Sequence, residues 1–127
     1  AQTMIRADQK IGVVTARSQA LTHEHLVGVG IQDYPLVIAG MESAKEFTSV
    51  FIEGKSTIDV ECCRREMEAV AADLMHAHAD IGAIVLECTN MPPYTQAIQK
   101  VTGVPVFDVV SLLNYAHAAL IPSLKNF

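Results

Sequence analysis

Apolar positions along this chain follow two rhythms, short continuous runs and longer stretches where they recur every three or four residues. Lys10 precedes the first run, Ile11-Gly12-Val13-Val14-Thr15, which is rich in β-branched residues and stops at the polar loop Ala16-Arg17-Ser18-Gln19. Thr22, with Glu24 and His25 behind it, predicts a short helix reaching Val29. Residues 35–40 read as a second strand followed by Gly. Ser43 is the expected N-cap of a helix over 44–52, with Glu46 at the capping-box position and Gly54 as its stop. From 59 to 78 the pattern is strongly helical. Val60, Cys63, Met67, Val70, Ala71 and Leu74 form one apolar stripe, and Glu61, Arg64, Arg65 and Glu68 fill the other face.

Residues 82–86 (Gly-Ala-Ile-Val-Leu) are apolar on both faces, the mark of a buried parallel strand. Pro93 suits the first turn of a helix that Gly103 closes. Residues 104–107 give a fourth strand, and Pro105 places it at an edge. A last helix runs over 109–120, with Pro122 after its end. The order βαβααβαβα predicts a single α/β domain over 1–127, with three α/β/α layers around a parallel sheet of about four strands and right-handed crossovers.

Composition narrows the class. Half of the 127 residues are apolar and there is no Trp, so the core is aliphatic, as α/β layers require. A net charge of −5 without a Lys/Arg cluster argues against nucleic acid as a partner. No apolar run reaches the roughly 18–20 residues that span a bilayer, and no signal peptide is visible, so no membrane partner is expected. Three cysteines, two of them adjacent, do not make a disulfide framework, and a reducing cytoplasm is the expected setting. The chain opens at Ala1, so a processed chain or part of a longer one is among the expectations.

The chemistry concentrates where the third strand ends, in Glu87-Cys88-Thr89-Asn90. In open α/β sheets ligands bind outside the carboxyl ends of the strands. Cys88, just past a strand and ahead of a helix, is the first candidate for chemistry, a thiol whose pKa a helix N-terminus would lower. The alternative is a buried structural cysteine. Thr89 and Asn90 are candidate donors to a substrate carboxylate. Thr15 ends the first strand as Cys88 ends the third, so the two are expected to line one crevice; a capping or turn role is its alternative. Glu87 would point away from the thiol, as a general base, an orienting group or one end of an ion pair. Cys62 and Cys63 fall inside a helix and read as structural. His23-x-His25 and His76-x-His78 splay on a helix, so no metal site is expected; His117 reads as packed or solvated.

The segment Gly82-Ala-Ile-Val-Leu-Glu-Cys-Thr-Asn-Met-Pro-Pro-Tyr94, with Thr102-Gly-Val-Pro-Val-Phe-Asp108 and Lys10-Ile-Gly-Val-Val-Thr15, resembles the aspartate/glutamate racemase family. The resemblance implies the second half of a two-domain, cofactor-independent isomerase. Its substrate, a small carboxylate or amino acid, would lie between two cysteines, one from each domain. Cys88 would be the second-domain acid/base, with Thr15, Thr89 and Asn90 holding substrate and no metal or other cofactor involved. The family's usual motif has Gly before the Cys and His or Glu after the Thr; here those places hold Glu87 and Asn90. A complete member would be close to twice this length, so the resemblance implies pairing with a missing first domain or homo-oligomerisation. A binding or structural module without catalysis is the alternative.

Overall fold

The computed structural model describes residues 1–121. Strands β1 (Lys10–Thr15), β2 (Leu36–Gly40), β3 (Ile81–Leu86) and β4 (Val106–Phe107) form one parallel sheet in the order β2-β1-β3-β4. The helices are α1 (His23–Gly28), α2 (Lys45–Phe51), α3 (Val60–Ala77), α4 (Thr95–Thr102) and α5 (Val109–Leu120). A three-layer α/β architecture, as the apolar pattern predicts, is what these elements build. Pro122 lies outside the described residues.

The layers follow from the pleat. Val14, Ile84 and Leu86 turn one face of the sheet toward Phe47 of α2, Cys63, Met67, Ala71 and Leu74 of α3, and Ile98 of α4, all buried together. Each large side chain removed from water there contributes roughly 1.5–3 kcal/mol before its ordering cost. The contact is close: a Cβ on Gly12 of β1 would stand 2.9 Å from Leu74 Cδ2. The opposite face carries Ile11, Val13 and Thr15 and is flanked by α5. That layer is thin. Helix α5 contributes no buried residue, and Leu112, Leu113, Tyr115 and Leu120 are each more than half exposed.

Several local expectations need correction. Ser43 does not cap α2, whose N-cap is Ala44 without a side-chain bond. The orphan N–H groups of Glu46 and Phe47 instead donate to the two carboxylate oxygens of Glu66 on α3, each at 2.9 Å. Glu46 in turn accepts from Lys55 Nζ and the Asp59 N–H, which ties the loop before α3 to α2. Asp59 then caps α3 by accepting from the Cys62 N–H at 2.9 Å. Pro93 lies inside a single 3₁₀ turn, Pro92–Tyr94, and α4 begins only at Thr95. Gly103 ends α4 at φ 70°, a left-handed cap that glycine adopts without strain. The fourth strand shrinks to Val106–Phe107, at the sheet edge as Pro105 implies.

Candidate functional site

The strand order fixes where a ligand crevice opens. From β1 the chain moves outward to β2, then returns past β1 to β3, so the winding reverses between β1 and β3. The loops leaving their carboxyl ends diverge there, and doubly wound sheets bind ligands at that point. Thr15 and Glu87 stand on the two sides of it. Thr15 is buried, and its Oγ1 donates to Glu87 Oε2 at 2.8 Å across 72 residues of sequence. The Glu87 N–H donates to Val14 O at 2.9 Å, continuing the β1–β3 ladder one step past the strand. The carboxylate is thus held at the crest of the edge, and it remains exposed.

Cys88, Thr89 and Asn90 form the turn that follows, closed by the Met91 N–H donating to Cys88 O at 3.1 Å. Cys88 is half-buried and packs against the α2–α3–α4 core, whereas Thr89 and Asn90 are exposed. The expected opposition of Glu87 and Cys88 therefore holds: the carboxylate serves the α5 side and the thiol the other. The expected helix N-terminus beside Cys88 is absent, because a turn and a 3₁₀ segment intervene before α4 and a helix dipole fades within its first turn. Thr15 is joined to Glu87 and not to the thiol.

Like β3, the strands β2 and β4 are followed by carboxylates, and these the sequence reading missed. After β2, Glu42 folds back beside Gly40, where any Cβ would collide with its carboxylate. It accepts from the Ser18 hydroxyl at 2.6 Å and from the Ser18 N–H. Burial pushes its acidity down, but the Ser18 bonds and neighbouring backbone donors outweigh this and hold its pKa below the usual glutamate value. Asp108, after β4, is buried and caps α5 by accepting from the Ser111 N–H at 2.7 Å, while Thr95 Oγ1 donates to its other oxygen. Here too burial opposes ionisation and the Thr95 and Ser111 donors prevail, so the pKa is lowered. The legible signal was an acidic residue within two positions of the ends of β2, β3 and β4.

Two cavities open along this edge. The larger, about 750 Å³, lies between α5 and the β3–β4 end of the sheet, where Glu87, Phe107, Asp108 and Tyr115 share its wall. The smaller, about 300 Å³, is lined by Arg17, Gln19, Ala20 and Glu42. Away from the edge, Cys63 is buried against Tyr94; burial and the Cys63 contact push the Tyr94 phenol up to about 12, and burial raises the Cys63 thiol. Cys62 is half-buried beside it on α3. His23, His25, His76 and His117 are exposed, and among the described residues no group of three metal-ligating side chains converges. No described helix is long and apolar enough to cross a membrane.

Thiol and carboxylates thus stand near the switch point of a parallel α/β sheet, the place where such sheets take ligands. The chain is similar to several curated proteins. The chain is 32% identical over 123 residues to dimethylsulfoniopropionate lyase 3 of Emiliania huxleyi, covering 90% of this chain and 32% of that protein. It is equally similar to lyase 6 of the same organism, and 29% identical over 111 residues to a dimethylsulfoniopropionate lyase of Durusdinium sp. clade D, covering 84% of this chain and 36% of the relative. The chain spans about a third of the length of these relatives. No family model matches it. No solved structure matches either.

These relatives overturn the racemase resemblance and the isomerase activity inferred from it: every one is named a lyase. They lend no support to the non-catalytic module either. The reason for the error is chemical. Racemisation and elimination next to a carboxylate both start by pulling a proton from the α-carbon, so both want a base at the strand end. What separates them is a leaving group on the next carbon, which belongs to the substrate and leaves no trace in a Cys-Thr-Asn turn.

Proposed function

We propose that this chain forms the thiol-bearing edge of a lyase site that eliminates dialkyl sulfide from a sulfonium carboxylate, with dimethylsulfoniopropionate as substrate. The observation that carries the reading is its similarity, across nine-tenths of its length, to several proteins bearing that activity in their names. In the reaction a base takes a proton from the carbon beside the carboxylate. The freed pair becomes the double bond of acrylate, and the carbon–sulfur bond breaks with its electrons leaving on neutral dimethyl sulfide.

Cys88 is the base in this reading. It sits half-buried in the turn just outside the switch point, near enough to solvent to exchange its proton and shielded enough to act on carbon. Thr89 and Asn90, exposed in the same turn, offer hydroxyl and amide donors to the substrate carboxylate. Thr15 orients Glu87 through the 2.8 Å bond and so shapes the crevice wall. The elimination needs no electron sink beyond the sulfonium itself, because the leaving group departs uncharged.

The test is Cys88→Ser and Cys88→Ala in the full polypeptide that carries this chain, with headspace dimethyl sulfide as readout and circular dichroism as the folding check. Loss of a catalytic base lowers turnover by about 10²–10⁴-fold. Folded variants that keep more than a tenth of the activity would remove Cys88 from the mechanism.

A further inference from the structure

We propose that the cavity between α5 and the β3–β4 edge is the seat of a methylated onium group, the dimethylsulfonium end of the substrate. The inference rests on the lyase reading and assigns the half of the substrate that Cys88, Thr89 and Asn90 leave unaccounted for.

The wall chemistry argues for a cation that cannot donate hydrogen bonds. Two carboxylates line the cavity, Glu87 and Asp108, and no Lys, Arg or His side chain does. Glu87 lines the cavity and is held through Oε2 by Thr15, and Oε1 has no hydrogen-bond partner among the described residues. Asp108 keeps its charge behind Thr95 and Ser111, adding field without a free donor. The remaining wall is mostly apolar, with Phe107, Tyr115, Val85, Leu112 and Met4, and also carries the hydroxyl residues Thr3 and Ser111. A sulfonium spreads its charge over its methyl groups, so it gains from ring faces and from a nearby carboxylate without needing acceptors in a set geometry. A primary ammonium, which wants three acceptors, gains less.

Glu87 and Cys88 are neighbours, about 3.8 Å apart at Cα, and they face opposite sides of the strand end. Cys88 is not part of the cavity wall, so a substrate seated there reaches the thiol only by lying over the strand end. As the carbon–sulfur bond breaks the cationic charge disappears, so the product sulfide loses its attraction to the seat and departs.

The experiment is titration of the ¹⁵N-labelled protein, followed by amide shifts. The probes are trimethylsulfonium, dimethylsulfoniopropionate, and 4-methylpentanoate, which replaces the sulfonium by an uncharged CH of similar shape. Shifts at Glu87, Phe107, Asp108 and Tyr115, with Arg17 and Gln19 unmoved, are expected. The sulfonium carboxylate should bind about tenfold or more tightly than 4-methylpentanoate, and Glu87→Gln and Tyr115→Ala should each erode that preference several-fold. Both positions are exposed, so folding survives these changes. Equal binding of the two carboxylates, shifts confined to the Arg17–Glu42 cavity, or no shifts with trimethylsulfonium would overturn the seat. Dimethyl sulfide release without onium preference overturns the seat and leaves the lyase reading standing. Onium-selective shifts without release support the seat and count against the lyase reading.

Discussion

Replacing Thr15 by Val and Glu87 by Ala, singly and together, probes the bond that spans the switch point. Thr15 Oγ1 is buried and donates to a carboxylate at 2.8 Å. A hydrogen bond to a charged acceptor contributes about 1.5–3 kcal/mol when both ends are dry. Glu87 is exposed, and water competes for it, so Thr15→Val should cost only about 1 kcal/mol. The reverse truncation is worse, because Glu87→Ala strands a buried hydroxyl and should cost about 2 kcal/mol. The double variant has nothing left to strand, since Val needs no partner. Its cost should stay near that of Thr15→Val, about 1 kcal/mol, well below the sum of the single changes. With a urea slope of about 1.5 kcal/mol per molar, the midpoints should fall by about 0.7, 1.3 and 0.7 M in turn. If the two costs simply add, giving a double variant near 3 kcal/mol, the residues do not act as a pair and the account of this edge is wrong.

Three further outcomes are expected. Met67, wholly buried beneath the sheet, should cost about 3 kcal/mol on truncation to Ala in chemical denaturation, and a loss under 1 kcal/mol would contradict the packing of α3. Asp108 has a lowered pKa, so its stabilising contribution is present above the unfolded value of 3.8 and is lost as pH falls through the lower folded value. Asp108→Asn should therefore flatten the acid side of a urea-midpoint profile; an unchanged profile would show that the carboxylate does not titrate with folding. Glu66→Ala frees the Glu46 and Phe47 N–H groups and should cost about 1–2 kcal/mol, measured by thermal melting, while Ser43→Ala should be silent.

Elements written in local periodicity were legible. The run ending at Leu86, the stripe from Val60 to Leu74 and the Pro105 edge all announced themselves by pattern, because side-chain period and burial are local facts. What failed was set at a distance. Ser43 looked like a cap because it stood at the right offset, yet Glu66, some twenty residues later, reaches the same N–H groups with two charged oxygens. A proline near position 93 signals a helical turn without saying whether it is 3₁₀ or α. The site divides the same way. Thr15 and Glu87 could each be nominated from strand ends, but their bond is a consequence of β1 and β3 being neighbours. Glu42 and Asp108 were passed over because neither sits beside a cysteine in sequence; only the sheet order brings all four strand ends to one edge.

The relation between the thiol edge and elimination is tested most directly by product analysis. The full polypeptide carrying this chain is incubated with dimethylsulfoniopropionate, and with aspartate and glutamate in deuterated water for comparison. Dimethyl sulfide and acrylate are expected in equal amounts, their formation lost in Cys88→Ala, with no deuterium entering either amino acid. Deuterated amino acids without acrylate, or acrylate formed at an undiminished rate by Cys88→Ala, would contradict it.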